Sequence, residues 1–180
     1  MGFGLCPWAV PALRAGRVAR EVVTEAAPAP AACVPVIDAW QADGHVSIGL
    51  LVLPRFGGTR GAFDRFAEEV RRAERARRAG EPPFVVAAFH PEGLTTFAGP
   101  AQLVSFLRRT PDPLLQFVRA DLLAGVLAGG PEVSGEVAAH NHATLTGPGQ
   151  TARFDAVMTS LRADRDATYA RLGLHTPTRT

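Results

Sequence analysis

Phe84-Val85-Val86-Ala87-Ala88-Phe89-His90-Pro91-Glu92-Gly93-Leu94-Thr95-Thr96-Phe97-Ala98-Gly99 is the stretch that decides how this chain folds. Residues 84–89 are an unbroken apolar run entered through Gly80 and Pro82-Pro83, which predicts a buried strand. The run then delivers one histidine, His90, to a loop shaped by Pro91 and Gly93 and bracketed by Phe89 and Phe97. Open α/β sheets hold their ligands where strand ends give way to loops, so His90 marks the expected place of a site.

Upstream, Ala62 to Arg78 predicts an amphipathic helix, because Phe63, Phe66, Ala67, Val70 and Ala73 recur at i, i+3, i+4 spacing. Arg71, Arg72, Arg75, Arg77 and Arg78 gather toward its C-terminus, where they suit the helix dipole and read as a solvated face. His45 to Leu53 predicts a strand covered on both faces. Between them, Gly57-Gly58-Thr59-Arg60-Gly61 offers backbone N–H groups to an anion, without the full glycine fingerprint of a dinucleotide site. Arg17 to Glu25 predicts another strand, and Cys33 to Asp43 a short helix with Val36, Ile37 and Trp40 on one side. Downstream, helices are expected over Ala101–Arg108, Leu114–Leu127, Val137–Leu145 and Thr151–Leu172, with Thr110-Pro111-Asp112-Pro113 as a rigid connector. Alternating strands and helices followed by helices predict an α/β fold: a small three- to four-stranded sheet flanked by helices, with a helical C-terminal cap. One domain is expected over residues 1–180, with the sheet layer in 1–99, the cap in 100–172 and a flexible tail in 173–180.

Composition narrows the function classes. The net charge of +2 argues against nucleic acid as the main partner. All 19 basic residues are arginine, which excludes Schiff-base lysine chemistry and a P-loop lysine. The two cysteines, Cys6 and Cys33, have no CxxC spacing and fit a reduced cytoplasmic compartment. No apolar run approaches the ~20 residues that cross a bilayer, and Met1 to Trp8 lacks the charged region of a signal peptide.

Four groups of residues are candidates for chemistry. Cys6 precedes Pro7, which suits the first position of a helix, and a helix N-terminus there would favour the thiolate. The alternative is a small buried residue beside the aromatic anchor Trp8. His90 is either a neutral imidazole able to bind a metal or a histidine that bonds a carbonyl at the strand end. Arg108, Arg109 and Arg119 make a fork for a carboxylate or phosphate if they converge, and structural pairs if Asp112 or Asp121 takes them. His140 and His142 point to opposite sides of a helix, which argues against a shared metal. No zinc-protease, zinc-finger or nucleophile-elbow spacing occurs.

Three of these segments occur together in an order that is familiar: Gly4-Leu5-Cys6-Pro7-Trp8-Ala9, then Ala88-Phe89-His90-Pro91 with Phe97-Ala98-Gly99, then Arg109-Thr110-Pro111-Asp112-Pro113-Leu114-Leu115 with Arg119. The chain resembles the bacterial domain-of-unknown-function 1415 family over residues 4–145. Members of that family similarly carry Leu-Cys-Pro-Phe-Ala, Ser-Phe-His-Pro with Phe-Ala-Gly, and Arg-Ser-Pro-Tyr-Pro. Asp112 stands where the family has tyrosine, and the tail after Gly147 looks additional. The resemblance singles out residues and implies no reaction.

Two functional readings follow. In the first, a small cytoplasmic enzyme gathers Cys6 and His90 as catalytic residues and Trp8, Phe97, Arg109 and Arg119 around a small-molecule substrate or cofactor. Its forms are an oxidoreductase with haem or a single transition metal on Cys6 or His90, or a cofactor-free thiol transferase or hydrolase with His90 as base. In the second, the same residues stabilise loops in a non-catalytic ligand-binding protein. Both are compatible with a homo-oligomer and exclude membrane and nucleic-acid partners.

Overall fold

The computed structural model describes residues 5, 9–77, 80–127 and 130–174, with 101, 125–127 and 130–134 as backbone only. Four strands, β1 (Val18–Val22), β2 (Ile48–Val52), β3 (Phe84–Phe89) and β4 (Leu114–Arg119), form one sheet in the order β1-β2-β4-β3. β1 and β2 are parallel, and β4 runs antiparallel to both β2 and β3. The α/β sheet with helical flanks and a C-terminal helix is thus as expected.

β4 corrects the helix expected over Leu114–Leu127. Leu114, Phe117, Val118 and Leu122 fit a helical period, but the first six residues also alternate. Leu115 and Phe117 are fully buried on one face, while Leu114, Gln116 and Val118 share the other. In so short a run both periods fit, and pairing with strands on both sides decides for the extended form. Only Ala120–Leu127 is helical (α5). The correction matters for the site, because β4 fills the slot between β2 and β3 and leaves β3 as an edge strand.

The ladder phase fixes what that edge presents. Arg119 donates its N–H to Ser47, on the β2 side, and Ala120 donates to Pro83, on the β3 side. Antiparallel residues alternate in this respect. Val85, Ala87 and Phe89 therefore bond β4, while Phe84, Val86 and Ala88 turn their N–H and C=O groups to the free edge.

One face of the sheet is covered by a 3-10 turn (Pro30–Cys33), α2 (Val34–Ala42) and α3 (Arg60–Ala76). α3 starts at Thr59, whose hydroxyl accepts from the Ala62 N–H at 3.3 Å, and buries Phe63, Phe66 and Val70. Each such side chain contributes on the order of 2 kcal/mol. Gly49 lies under the Trp40 ring, where any Cβ would collide with the indole. The other face carries α1 (Ala9–Arg14) and α5, with Ala12 and Leu123 over Ile48 and Val118. A further cluster joins α4 (Pro100–Leu107), α6 (Gly130–Thr146) and α7 (Gln150–Leu172) through Leu103, Phe106, Leu145 and Phe154. α6 begins at Gly130, ahead of the helix expected from Val137. No helix among the described residues is long and apolar enough to cross a membrane.

Cys33 is a free thiol enclosed in the main core. Burial, then the negative charge of Glu25, pushes it up to about 11. The folded thiol keeps its proton to higher pH than the unfolded one, near 8.5. Its contribution to stability is full below about 8.5 and is lost as pH rises toward about 11. Iodoacetamide at pH 7.5 is expected to spare Cys33 in the folded protein and to label it after unfolding. Equal labelling in both states, read by peptide mass, would contradict this packing.

Candidate functional site

His90 is fully enclosed at the end of β3. Its Nε2 lies 3.1 Å from the Gly58 carbonyl, and its Nδ1 accepts the Glu92 N–H at 3.2 Å. One ring nitrogen donates and the other accepts, which is the neutral imidazole with its proton on Nε2. The ring stacks obliquely on Phe63 at 5.7 Å. It therefore stitches the loop before α3 to the turn after β3. The Glu92 carboxylate completes the stitch by accepting the Arg60 N–H at 2.9 Å, at the first residue of α3. The glycine-rich loop expected to offer its amides to an anion thus gives this one to the chain's own carboxylate.

The arginines do not converge as a fork. Arg109 is buried, donating to the Phe106 carbonyl at 3.1 Å and to Asp155 at 2.7 Å, with its guanidinium 4.1 Å above the Phe106 ring. Arg119 donates to both oxygens of Asp121 at 3.3 Å, and this bond holds the Asp121 carboxyl below its ordinary range. Asp112 pairs with neither. It is buried and takes Arg165 at 3.1 Å and the Tyr169 hydroxyl at 2.7 Å, both from α7. The structure does bring the His90 loop to Arg109, because Gly93 packs so closely on the Arg109 stem that a Cβ there would overlap it. Phe97 packs edge-on to Phe106 at 4.7 Å, and Leu5 packs against the same buried cluster. His142 lies 5.8 Å from the Phe97 ring, and His140 is exposed. Cys6 and Trp8 lie outside the described residues. Among those that are described, no group of three histidine, cysteine or carboxylate side chains is arranged to hold a metal.

Arg108, the third arginine of the expected fork, stands apart from the other two. It caps α4, and its carbonyl accepts the His90 N–H at 3.0 Å on the free edge of β3. Four residues back along that edge Arg71 donates to the Val86 carbonyl at 2.7 Å. Ala88 lies between, its amide facing outward and without a hydrogen-bond partner among the described residues. The Arg108 guanidinium is half-buried and likewise has no hydrogen bond or ion pair among the described residues. Arg60 and Arg71 lie within its electrostatic reach. Burial first, then these two positive charges, lower its pKa from the ordinary value, and Asp64 opposes them. Arg60 is satisfied by Asp64 and Arg71 by Glu68. Arg108 is left as an uncommitted cation whose backbone carbonyl meets the same strand edge to which the Ala88 amide is turned. No local spacing announces this, since Arg60 and Arg71 lie on α3, Ala88 on β3 and Arg108 at the end of α4.

The family model described as "Protein of unknown function (DUF1415)" matches residues 1–153. No curated protein and no solved structure matches the chain.

Proposed function

The chain belongs to the DUF1415 family, and from its own geometry we propose that it is a ligand-binding protein for a small anionic molecule, held at the free edge of β3. The observation that supports this is the half-buried Arg108 guanidinium, within electrostatic reach of Arg60 and Arg71 and unpaired among the described residues, on a residue whose carbonyl meets the same edge of β3 to which the Ala88 amide is turned. A guanidinium removed from water and surrounded by its own sign is stabilised by an anion, and a phosphate oxygen matches its fork. His90 and Arg109 serve this reading as framework: the His90 N–H bonds the Arg108 carbonyl, and Arg109 ties the next residue to Phe106 and Asp155.

Inorganic phosphate titrated into the protein at low ionic strength tests it by calorimetry. Arg108→Gln is expected to weaken binding about 10- to 100-fold, the worth of one charge-assisted hydrogen bond. Unchanged affinity in Arg108→Gln, or no heat with the wild-type protein, would refute it.

A second reading, an enzyme with Cys6 as nucleophile or as ligand of haem or a transition metal, draws on Leu5. This neighbour of Cys6 packs against the same buried cluster as Phe97, which lies on the loop that leaves His90. Here Cys6 is the reactive group, because both His90 nitrogens are engaged by backbone. An absorbance spectrum with a Soret band, or a Cys6 thiol that alkylates well below pH 8.5, would favour it.

A further inference from the structure

The sheet face opposite α2 and α3 is only half covered. Its side chains fall into rows across the four strands. In the first row Ile48 and Val118 are buried against α1 and α5. The second row is Arg20, Leu50, Gln116 and Ala87. The third is Val22, Val52, Leu114 and Phe89. No side chain of these two rows is buried, and Val22 is 54% exposed. Leu51, Leu115 and Phe117, on the same strands but turned to α2 and α3, are fully enclosed. A contiguous apolar floor of this kind marks a binding surface.

Gln116 stands in the middle of that floor. Leu50 and Ala87 flank it across the ladder, about 5 Å away on each side, and Leu114 and Val118 neighbour it along its own strand. Its carboxamide is half-buried and makes no hydrogen bond among the described residues. Any solute that settles on these apolar neighbours strips water from the amide. A purely apolar solute leaves the lost hydrogen bonds unreplaced. A solute with its own acceptor and N–H donor side by side replaces both, because a carboxamide offers a carbonyl and an amino group in one plane. Arg20 is the only charged side chain of the two rows and lies two strands away, roughly 10 Å, so the floor around Gln116 favours a neutral molecule.

We propose that this face binds an uncharged aromatic carboxamide or lactam, its amide paired with Gln116 and its ring over Leu114 and Phe89. The site is separate from the Arg108 edge, so loss of phosphate binding there leaves it standing.

Benzamide and acetophenone, titrated separately into the full chain and followed by NMR, test it. The two share a ring and a carbonyl, and only benzamide carries N–H donors. Saturable shifts of the Ala87, Leu114 and Gln116 amides are expected, with benzamide bound about tenfold more tightly, the worth of one hydrogen bond regained on an apolar floor. Gln116→Leu is expected to erase that ratio while acetophenone still binds. Equal affinities in the wild-type protein, shifts confined to other residues, or a ratio that survives Gln116→Leu would overturn the proposal. So would a Gln116 side-chain amide already protected from exchange in the free chain, or shifts that follow protein concentration alone. The first would mean that the chain covers this face itself, the second that another copy does.

Discussion

His90→Ala is expected to lower the unfolding free energy by about 4 kcal/mol, enough to bring a domain of ordinary stability close to unfolding. Three costs add. The imidazole is fully enclosed, so its removal leaves a void against Phe63. The Gly58 carbonyl loses the Nε2 proton, and the Glu92 N–H loses its acceptor. Each orphaned backbone group costs about 1–3 kcal/mol. The midpoint of thermal unfolding is expected to fall by about 10 °C. A side chain present only for catalysis behaves otherwise, since its removal leaves stability near or above that of the parent. Near-parental stability in His90→Ala would therefore return His90 to the chemistry.

Asp112→Ala is expected to cost about 3 kcal/mol and to loosen the C-terminal half of α7. The Asp112 carboxylate is the shared acceptor of Arg165 and Tyr169, and it is buried. Burial, then the bond to Asp112 and its charge, pushes the Tyr169 hydroxyl pKa up, so the phenol is a proton donor throughout the working range. Removing the carboxylate leaves the partly buried Arg165 guanidinium with only the exposed Asp166, at 2.9 Å, and the Tyr169 hydroxyl facing no acceptor. Asp112→Asn keeps an oxygen for Tyr169 and loses the charge, so its cost is expected to be intermediate. Hydrogen exchange reads the effect directly: protection in residues 161–172 should fall in Asp112→Ala while β2 and β4 keep theirs. Uniform loss across the chain, or none in α7, would show that the helix is held by Phe154 and Met158 alone.

β3 was legible because its apolar run is bounded by residues that cannot continue a helix, Gly80 and Pro82-Pro83 before it and His90-Pro91 after it. α3 was legible because four apolar residues on one stripe outweigh its arginine-rich remainder. β4 was not, since Leu114, Phe117 and Val118 satisfy a helix and a strand alike until the neighbouring strands compete for their backbone. The same competition hid the site. His90 and Gly93 were visible as an unusual loop, and both do organise it, through hydrogen bonds and close packing. Arg109 and Asp112 look alike as candidates in one dimension, yet each is consumed by an α7 partner at least 46 residues away. What distinguishes Arg108 is the lack of any such partner among the described residues, and that is a property of the folded molecule. α7 itself extends from residue 150 to 172, beyond the family match that ends at 153. Its anchoring by Asp112 therefore belongs to a part of the chain that the family pattern does not describe.

The claim on which the functional reading stands is that an anion sits between Arg108 and the outward amide of Ala88. Amide proton and nitrogen shifts of Ala88, followed by NMR during titration with inorganic phosphate, test it most directly. A saturable downfield shift of the Ala88 amide, absent in Arg108→Gln, is the expected result. An Ala88 amide that stays still while phosphate moves resonances elsewhere would contradict it.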